Sequence, residues 1–333
     1  MSKPISLTGI KPTGAPHIGN LLGAIKPALD LAKSYDARYF LADIHALNTI
    51  KDGALLKQYT LEIAATWIAL GLDHDDVIFY KQSDVPEISE LATILMSFTS
   101  KGLMNRAHAY KARVQENLEA ERDPDFSVNM GLFTYPVLMA ADILTFMPDV
   151  VPVGKDQLQH LEMCIDIAQS FNSAYGPKPL IKIPKPIVDE NTMVIPGIDG
   201  RKMSKSYNNT IPIFLPEKEL KKLINKIKSN SQSVEEPKDP DTCPVFNLYR
   251  YFASPDEIEA LKKRYRQGGM GWGEAKASLF EVISRYIEPF RARYADLLNN
   301  PSSIEAILED GGKKARHHAS KNLATIKRTI GLI

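Results

Sequence analysis

Cysteine is nearly absent: Cys164 and Cys243 are the only two in 333 residues, far apart and in no CxxC pair. A disulfide framework and a zinc ribbon are thereby excluded as organising devices. No apolar run approaches the roughly 18 residues that a membrane span needs. The opening, MSKPISLTGI, lacks the long apolar stretch of a secretory signal. The expected setting is soluble, reducing and cytoplasmic, with no membrane partner. An excess of one charge sign is missing too. Lys and Arg total 41 against 40 Asp and Glu, a formal charge of +1. A tail-driven polyelectrolyte is excluded, and a nucleic-acid partner must meet a local patch. There is no fixed-period repeat and no low-complexity tract. What is present, 44% hydrophobic and 24% charged residues, is ordinary globular usage. The length suits about two domains of roughly 150 residues.

The first half alternates short β-type runs with helical patterns. Strands are predicted over Ile5–Ile10, Ala37–Asp43, Val77–Tyr80 and Val150–Val153. Helices are predicted over Ile18–Lys33, Ala54–Leu70, Glu87–Phe98, Leu132–Phe146 and Asp156–Phe171. This alternation predicts an α/β fold with a doubly wound parallel sheet, whose ligands sit at the carboxyl ends of the strands. Residues 100–129, charged and amphipathic, read as an insertion. Pro177, Pro179, Pro184, Pro186 and Pro196 are dense enough to break regular structure. Helical periodicity returns over Glu217–Lys228, Pro255–Arg266, Glu274–Asn299 and Ser303–Ile330. Between the first two of these, Ser229–Pro244 reads as a mobile loop. The expected organisation is an α/β domain over residues 1–200 and a helical domain over 201–333, with the last helix packing back on the first.

Thr8–Gly23 (TGIKPTGAPHIGNLLG) follows the first predicted strand and carries Gly9, Gly14, Gly19 and Gly23. Glycine admits a ligand close to the backbone, and the helix start beyond it offers unpaired N–H groups to an anion. His17 and Asn20 lie three positions apart at that helix start, and both side chains can donate to phosphate oxygens. The glycine spacing matches neither of the common phosphate-loop fingerprints. Alone, the segment reads as a tight strand-to-helix turn more readily than as a nucleotide site. A second segment, Arg201-Lys202-Met203-Ser204-Lys205-Ser206, places two lysines and two hydroxyls on a short loop after Gly197 and Gly200. A mobile cationic loop can follow the charge that builds on a departing phosphate chain. Alone, this run is also readable as a solvated turn.

Together the two segments resemble the signature motifs of class I aminoacyl-tRNA synthetases. His17–Asn20 matches HIGH with Asn20 in its last place, and Lys202–Ser206 matches KMSKS in full. Asp43–Ala46 (DIHA), and Thr134–Asp142 running into Val151–His160, are similar to the bacterial tryptophanyl branch. Tyrosyl relatives usually lack the PVGxDQxxH pattern seen here from Pro152 to His160. The resemblance implies a Rossmann-like nucleotide-binding domain with a C-terminal helical, tRNA-binding domain. It implies ATP-dependent ligation of L-tryptophan to tRNA(Trp) through a tryptophanyl-adenylate, by a homodimer. Lys202, Lys205, His17 and Asn20 are implied as the catalytic groups. ATP is expected to meet Lys11, Pro12, Thr13, Gly19 and Asn20, with Gly154, Lys155 and Asp156 at the ribose and Met193 at adenine through its backbone. Lys202, Met203, Ser204, Lys205 and Ser206 complete the implied ATP set. Mg²⁺ is expected on the triphosphate, and the sequence shows no dedicated protein cage for it.

Spacing agrees with an indole pocket. Met139 and Asp142 share one helix face, Val151 and Val153 share one strand face, and Leu7 is one strand period from Gly9. Apolar walls with one carboxylate suit an indole, whose N–H donates and which has no acceptor. By the resemblance, Asp142 accepts that N–H, while His45, Tyr135 and Gln157 hold the ammonium and carboxylate. The chain departs from the family at Lys11 (usually Gln), Leu7 (usually Phe) and Ile165 (usually Arg). Gly311–Ile333 carries Lys313, Lys314, Arg316, Lys321, Lys327 and Arg328 and no acid. It reads either as a phosphate footprint or as a solvated helix end. Lys101, Arg106, Lys111, Arg113 and Arg122 of the insertion are further candidates for contact with the tRNA acceptor end. Two other classes compete: a small-molecule adenylyltransferase, and a non-catalytic regulator built on a synthetase fold. The first needs no long helical second half, and intact Lys202, Lys205 and Asp156 count against the second.

Overall fold

A computed structural model describes residues 3–154, 157–188 and 194–333. Five parallel strands, β1 (Ile5–Ile10), β2 (Asp36–Leu41), β3 (Ile78–Lys81), β4 (Val150–Pro152) and β5 (Lys185–Ile187), form one sheet in the order β3-β2-β1-β4-β5. From β1 the chain winds outward to β3. It passes through α1 (Ile18–Asn20), a π-helical turn over Leu21–Ile25, α2 (Lys26–Ala32), α3 (Asp43–Ala46) and α4 (Gly53–Ala69). It returns through α5 (Pro86–Met96), α6 (Lys101–Met104), α7 (His108–Glu119) and α8 (Met130–Leu144) to β4, and α9 (Leu158–Ala174) leads on to β5. Winding therefore reverses between β1 and β4. At such a switch point a crevice opens beyond the carboxyl ends of the strands.

β2 is buried along all but its first residue, as a strand covered on both faces is, and its one buried charge, Arg38, pairs with Asp36 at 3.0 Å. On one face Tyr39 and Phe79 pack with Trp67 of α4. The same cluster takes in Ile224 of α10 (Glu217–Asn225), Phe246 of α11 (Pro244–Tyr249), Leu261 of α12 (Pro255–Gln267) and Ile283 of α13 (Trp272–Asn299). On the other face Leu7, Phe40, Tyr80 and Val151 meet α5, α8 and α9.

The last helix, α14 (Pro301–Thr329), belongs to both faces. Ile304 and Leu308 enter the first cluster, whereas Ala315, Ala319, Leu323 and Ile326 enter the second. Between them the helix crosses edge strand β3 at backbone contact. A Cβ on Gly311 would overlap the carbonyl of Phe79, and one on Gly312 would lie 2.9 Å from Cβ of Asp84. A mid-helix glycine is worth roughly 0.5–1 kcal/mol less than alanine; here two of them permit the crossing.

Three expectations change, and one alternative is sharpened. The strand expected to run through Asp43 ends at Leu41, because the Asp43 carboxylate accepts from the Ile44 and Ser83 backbone N–H groups and starts a helical turn. The proline-rich segment does contain a strand, β5, placed at the sheet edge where proline is tolerated. Ser229–Pro244 is irregular but anchored: the Lys238 N–H donates to the Tyr265 carbonyl of α12 at 2.7 Å, and the Gly269 N–H donates to the Val234 carbonyl at 2.8 Å. Finally, four of the six cations on α14 are answered by carboxylates. Lys313 pairs with Glu309, Lys314 with Asp310, Arg316 with Glu87 and Lys327 with Glu90. Four of these six cations would thus reach a phosphate only by exchanging a carboxylate partner.

Candidate active site

The glycine loop leaves β1 at the switch point and enters α1 through His17. The His17 Nδ1 accepts from the Asn20 backbone N–H at 3.3 Å, while the Asn20 Oδ1 accepts from the His17 N–H at 3.1 Å. This reciprocal cap orients both side chains. With Nδ1 accepting, the ring proton sits on Nε2, so Nε2–H and the Asn20 amide remain as donors. Burial, and secondarily the nearby Lys205, push the imidazole down to about 4; His17 is neutral at pH 7. A Cβ on Gly19 would stand 2.9 Å from the His17 ring and 3.5 Å from Met203.

The lysine loop is docked on the glycine loop. Residues 211–213 run antiparallel to 16–18, with the Ile18 N–H donating to the Ile211 carbonyl at 2.8 Å and the Ile213 N–H to Pro16 at 3.1 Å. Met203 is buried with its sulfur 3.2 Å from the Gly19 nitrogen. The Lys205 ammonium donates to the Gly14 carbonyl at 2.7 Å. Gly14 has φ +140°, a region that favours glycine. Loss of solvent lowers the Lys205 ammonium to about 8. Lys202 and Ser206 are exposed, and Ser204 is half-buried.

Asn209 holds this loop, a role that its sequence position does not announce. It is buried, its Oδ1 accepts from the Ser204 N–H at 2.7 Å, and its amide donates to Asp199 at 2.7 Å and to the Lys202 carbonyl at 3.0 Å. The Asn209 amide, and then Arg201, keep the Asp199 carboxyl at about 2. Pro12 is buried and Thr13 half-buried, whereas Gly154 is exposed. Lys11 is exposed along the cleft, yet enough protein surrounds its ammonium that desolvation lowers its pKa. The expected contacts Lys155, Asp156 and Met193 lie outside the described residues.

The amino-acid end is built differently. Asp142, only 1% exposed, has both carboxylate oxygens engaged. Its Oδ2 is 2.8 Å from the His45 Nε2, and its Oδ1 accepts from the Gln82 amide at 2.7 Å. Gln82 in turn accepts the His45 backbone N–H at 3.3 Å. Burial raises the Asp142 pKa, opposed by His45 and Gln82. His45 therefore faces Asp142, not an open substrate position. Each carboxylate oxygen has a second lone pair for an incoming donor.

Beside it, the Tyr135 hydroxyl bonds the His160 Nε2, and the His160 Nδ1 lies 3.1 Å from the Gln157 Oε1. Because Gln157 offers its carbonyl, His160 carries its proton on Nδ1 and accepts the Tyr135 O–H. The phenol oxygen is then left with lone pairs for a cation, and burial holds its pKa at about 12. The His45 and Tyr135 rings meet edge to face at 6.5 Å. Leu7 and Val151 are buried and Met139 and Val153 half-buried in one cluster with Phe40 and Tyr80. Ile165 packs against that cluster as well. Sequence reasoning assigned no role to Gln82, His160 or Phe40; only His160 lay inside a motif.

A parallel sheet with this switch point, a capped glycine loop and a lysine loop docked across it defines the class I aminoacyl-tRNA synthetase type of catalytic core. The model for the family of class I tRNA synthetases (W and Y) matches residues 2–288, and the chain belongs to that family. It is 49% identical to the tryptophan–tRNA ligase of Pseudomonas aeruginosa over 329 residues, 98% of this chain and 73% of that protein. To the tryptophan–tRNA ligase of Xanthomonas axonopodis it is also 49% identical, over 98% of this chain and 76% of the relative. Among solved structures it is similar to tryptophanyl-tRNA synthetase from Campylobacter jejuni complexed with ADP and tryptophan. That match has a TM-score of 0.89 and 43% identity, and covers 98% of this chain and 99% of the other. Among the described residues no helix is long and apolar enough to cross a membrane.

Proposed function

We propose that the protein ligates L-tryptophan to tRNA(Trp) with ATP, in two steps. A tryptophan carboxylate oxygen attacks the α-phosphorus, the bond from that phosphorus to the bridging oxygen breaks, and pyrophosphate leaves. A terminal ribose hydroxyl of the tRNA then attacks the tryptophanyl carbonyl, and AMP leaves. No side chain need become covalently attached; alignment and charge stabilisation carry the rate. Lys205, with Lys202, meets the charge on pyrophosphate, while His17 Nε2–H and the Asn20 amide donate from the helix side. Asp142 accepts the indole N–H with its second lone pairs. His45 and Gln82 position that carboxylate, and Tyr135 and Gln157 receive the ammonium.

The observation that carries the reading is the Lys205–Gly14 bond, because it brings a cation onto an anion-binding loop at the same switch point as a buried carboxylate in apolar walls. Among the described residues no group of three or more His, Cys, Asp or Glu could hold a metal ion. Mg²⁺ would arrive on the triphosphate and help neutralise its charge. Residues 1–200 serve as the catalytic unit and 201–333 as the unit that carries the lysine loop and receives the tRNA. The working form is a cytoplasmic homodimer. The test is pyrophosphate exchange run with each of the 20 amino acids. Exchange supported by tryptophan alone is expected, whereas exchange with tyrosine, or with no added amino acid, overturns the reading.

A further inference from the structure

On the tryptophan reading above, we infer that Phe40 is the aromatic wall of the indole pocket and the residue that sets which rings the pocket admits. Parallel pairing aligns Gly9, Phe40 and Tyr80 in one row across β1, β2 and β3, near the carboxyl ends of the strands. Residues paired in a parallel ladder point to the same face. This row therefore faces the cluster that holds Leu7, Val151 and, half-buried, Met139 and Val153.

The row has a gap at Gly9, and Phe40 leans into it. A Cβ on Gly9 would overlap the ring, with the two Cε atoms at 2.7 and 2.8 Å. Tyr80 backs the ring from behind, stacked at 5.7 Å between centroids and 26° between planes. A ring packed in this way cannot swing aside without leaving a void. Gly9 is exposed and Phe40 is 6% exposed. The ring of Phe40 thus fills the place that a side chain on Gly9 would take, and the exposed Gly9 beside it puts the edge of that ring at the crevice. The neighbouring wall on β1 is the aliphatic Leu7, so the aromatic surface on the sheet side of the pocket comes from Phe40 of β2, backed by Tyr80 of β3. Burial, and after it the charge of Asp142, raises the Tyr80 hydroxyl well above its ordinary value.

In tryptophan-dependent pyrophosphate exchange, Phe40→Leu is expected to raise the tryptophan KM about tenfold and to leave the ATP KM nearly unchanged. It should also admit tryptophans with bulky ring substituents that the unmodified protein rejects. Adding Leu7→Phe to Phe40→Leu returns an aromatic ring from β1 and should recover most of the tryptophan KM, which a mere loss of stability would not do. If Phe40→Leu does not fold, Phe40→Met, which keeps the volume without the ring, carries the same test. A folded variant with unaltered tryptophan KM and unaltered analogue rejection overturns the inference. Absence of tryptophan-dependent exchange in the unmodified protein would instead overturn the functional reading on which it rests.

Discussion

At the phosphate end of the crevice, Gly14, His17, Gly19 and Asn20 lie within one short loop, and most of their contacts end on backbone atoms. Lys205 reaches a carbonyl, Met203 a backbone N–H, and His17 and Asn20 cap each other's main chain. At the tryptophan end, Asp142, His45, Gln82, Tyr135, Gln157 and His160 come from separated segments, and their bonds run mainly from side chain to side chain. The two ends therefore differ in what a substitution removes. A backbone-built site loses shape only when a glycine gains a side chain, and its charge is delivered by a loop docked across it. A buried side-chain network is fixed, and deleting one member leaves the others without partners.

The largest expected effect falls on the phosphate end. Lys205→Ala should lower kcat for adenylate formation by about 10²- to 10³-fold, with smaller changes in either KM, because its charge is needed only as pyrophosphate separates. Lys202→Ala should act in the same direction. Single-turnover kinetics decide the matter: a weakened ATP affinity at full kcat would make the loop a ground-state clamp and erase the contrast.

Asp142→Ala comes next. Loss of a charge-assisted acceptor for the indole N–H should lower kcat/KM for tryptophan by about 10- to 150-fold and hardly move the ATP KM. Since His45 and Gln82 both bond this carboxylate, Asp142→Ala combined with His45→Ala should cost less than the sum of the two single changes. An additive double variant, or an unchanged tryptophan KM in Asp142→Ala, would break the picture of a network.

A smaller effect sharpens the electrostatic side. In the free enzyme Lys205 is lowered from its ordinary value to about 8, so it is charged below that pH and neutral above it. Because kcat/KM reports the free enzyme, its value for ATP should fall as pH rises past about 8. Lys205→Arg, which keeps its charge, should lack that limb. His17, held at about 4, contributes no limb between pH 5 and 8.

The smallest effect concerns Lys11. Within ~4 Å of the substrate ammonium it would repel by about 4 kcal/mol at an effective dielectric near 20, so it is assigned to the ATP phosphates. Lys11→Gln should raise the ATP KM a few-fold and weaken its salt dependence, with the tryptophan KM steady. Tighter tryptophan binding with ATP unaffected would reverse that assignment.

This contrast also decides what could be read from the chain. β1 is legible residue for residue, since an apolar strand followed at once by a glycine loop has few other solutions. The phosphate loops are legible for the same reason: their parts are contiguous. Gln82 is not, because its meaning lies in a bond to Asp142, 60 positions away. Asn209 reads as a turn residue until the Ser204, Asp199 and Lys202 contacts are seen. β5 is three residues long with a proline at its centre, and only its place at a sheet edge makes it a strand. The ion pairing of the basic run on α14 is legible only in part, because two of its acids lie on α5 and two on the preceding turns of α14 itself.

The crossing of β3 by α14 has a consequence in time. During synthesis β3 is complete long before residues 301–329 leave the ribosome. Until they do, the strand's free backbone groups and the flanks of both clusters stay uncovered. An open strand edge of this kind recruits other chains. A nascent chain that stalls before Pro301 is therefore prone to aggregate, whatever the state of its ligand sites, and a chaperone's period of usefulness ends when the Gly311–Gly312 turn docks.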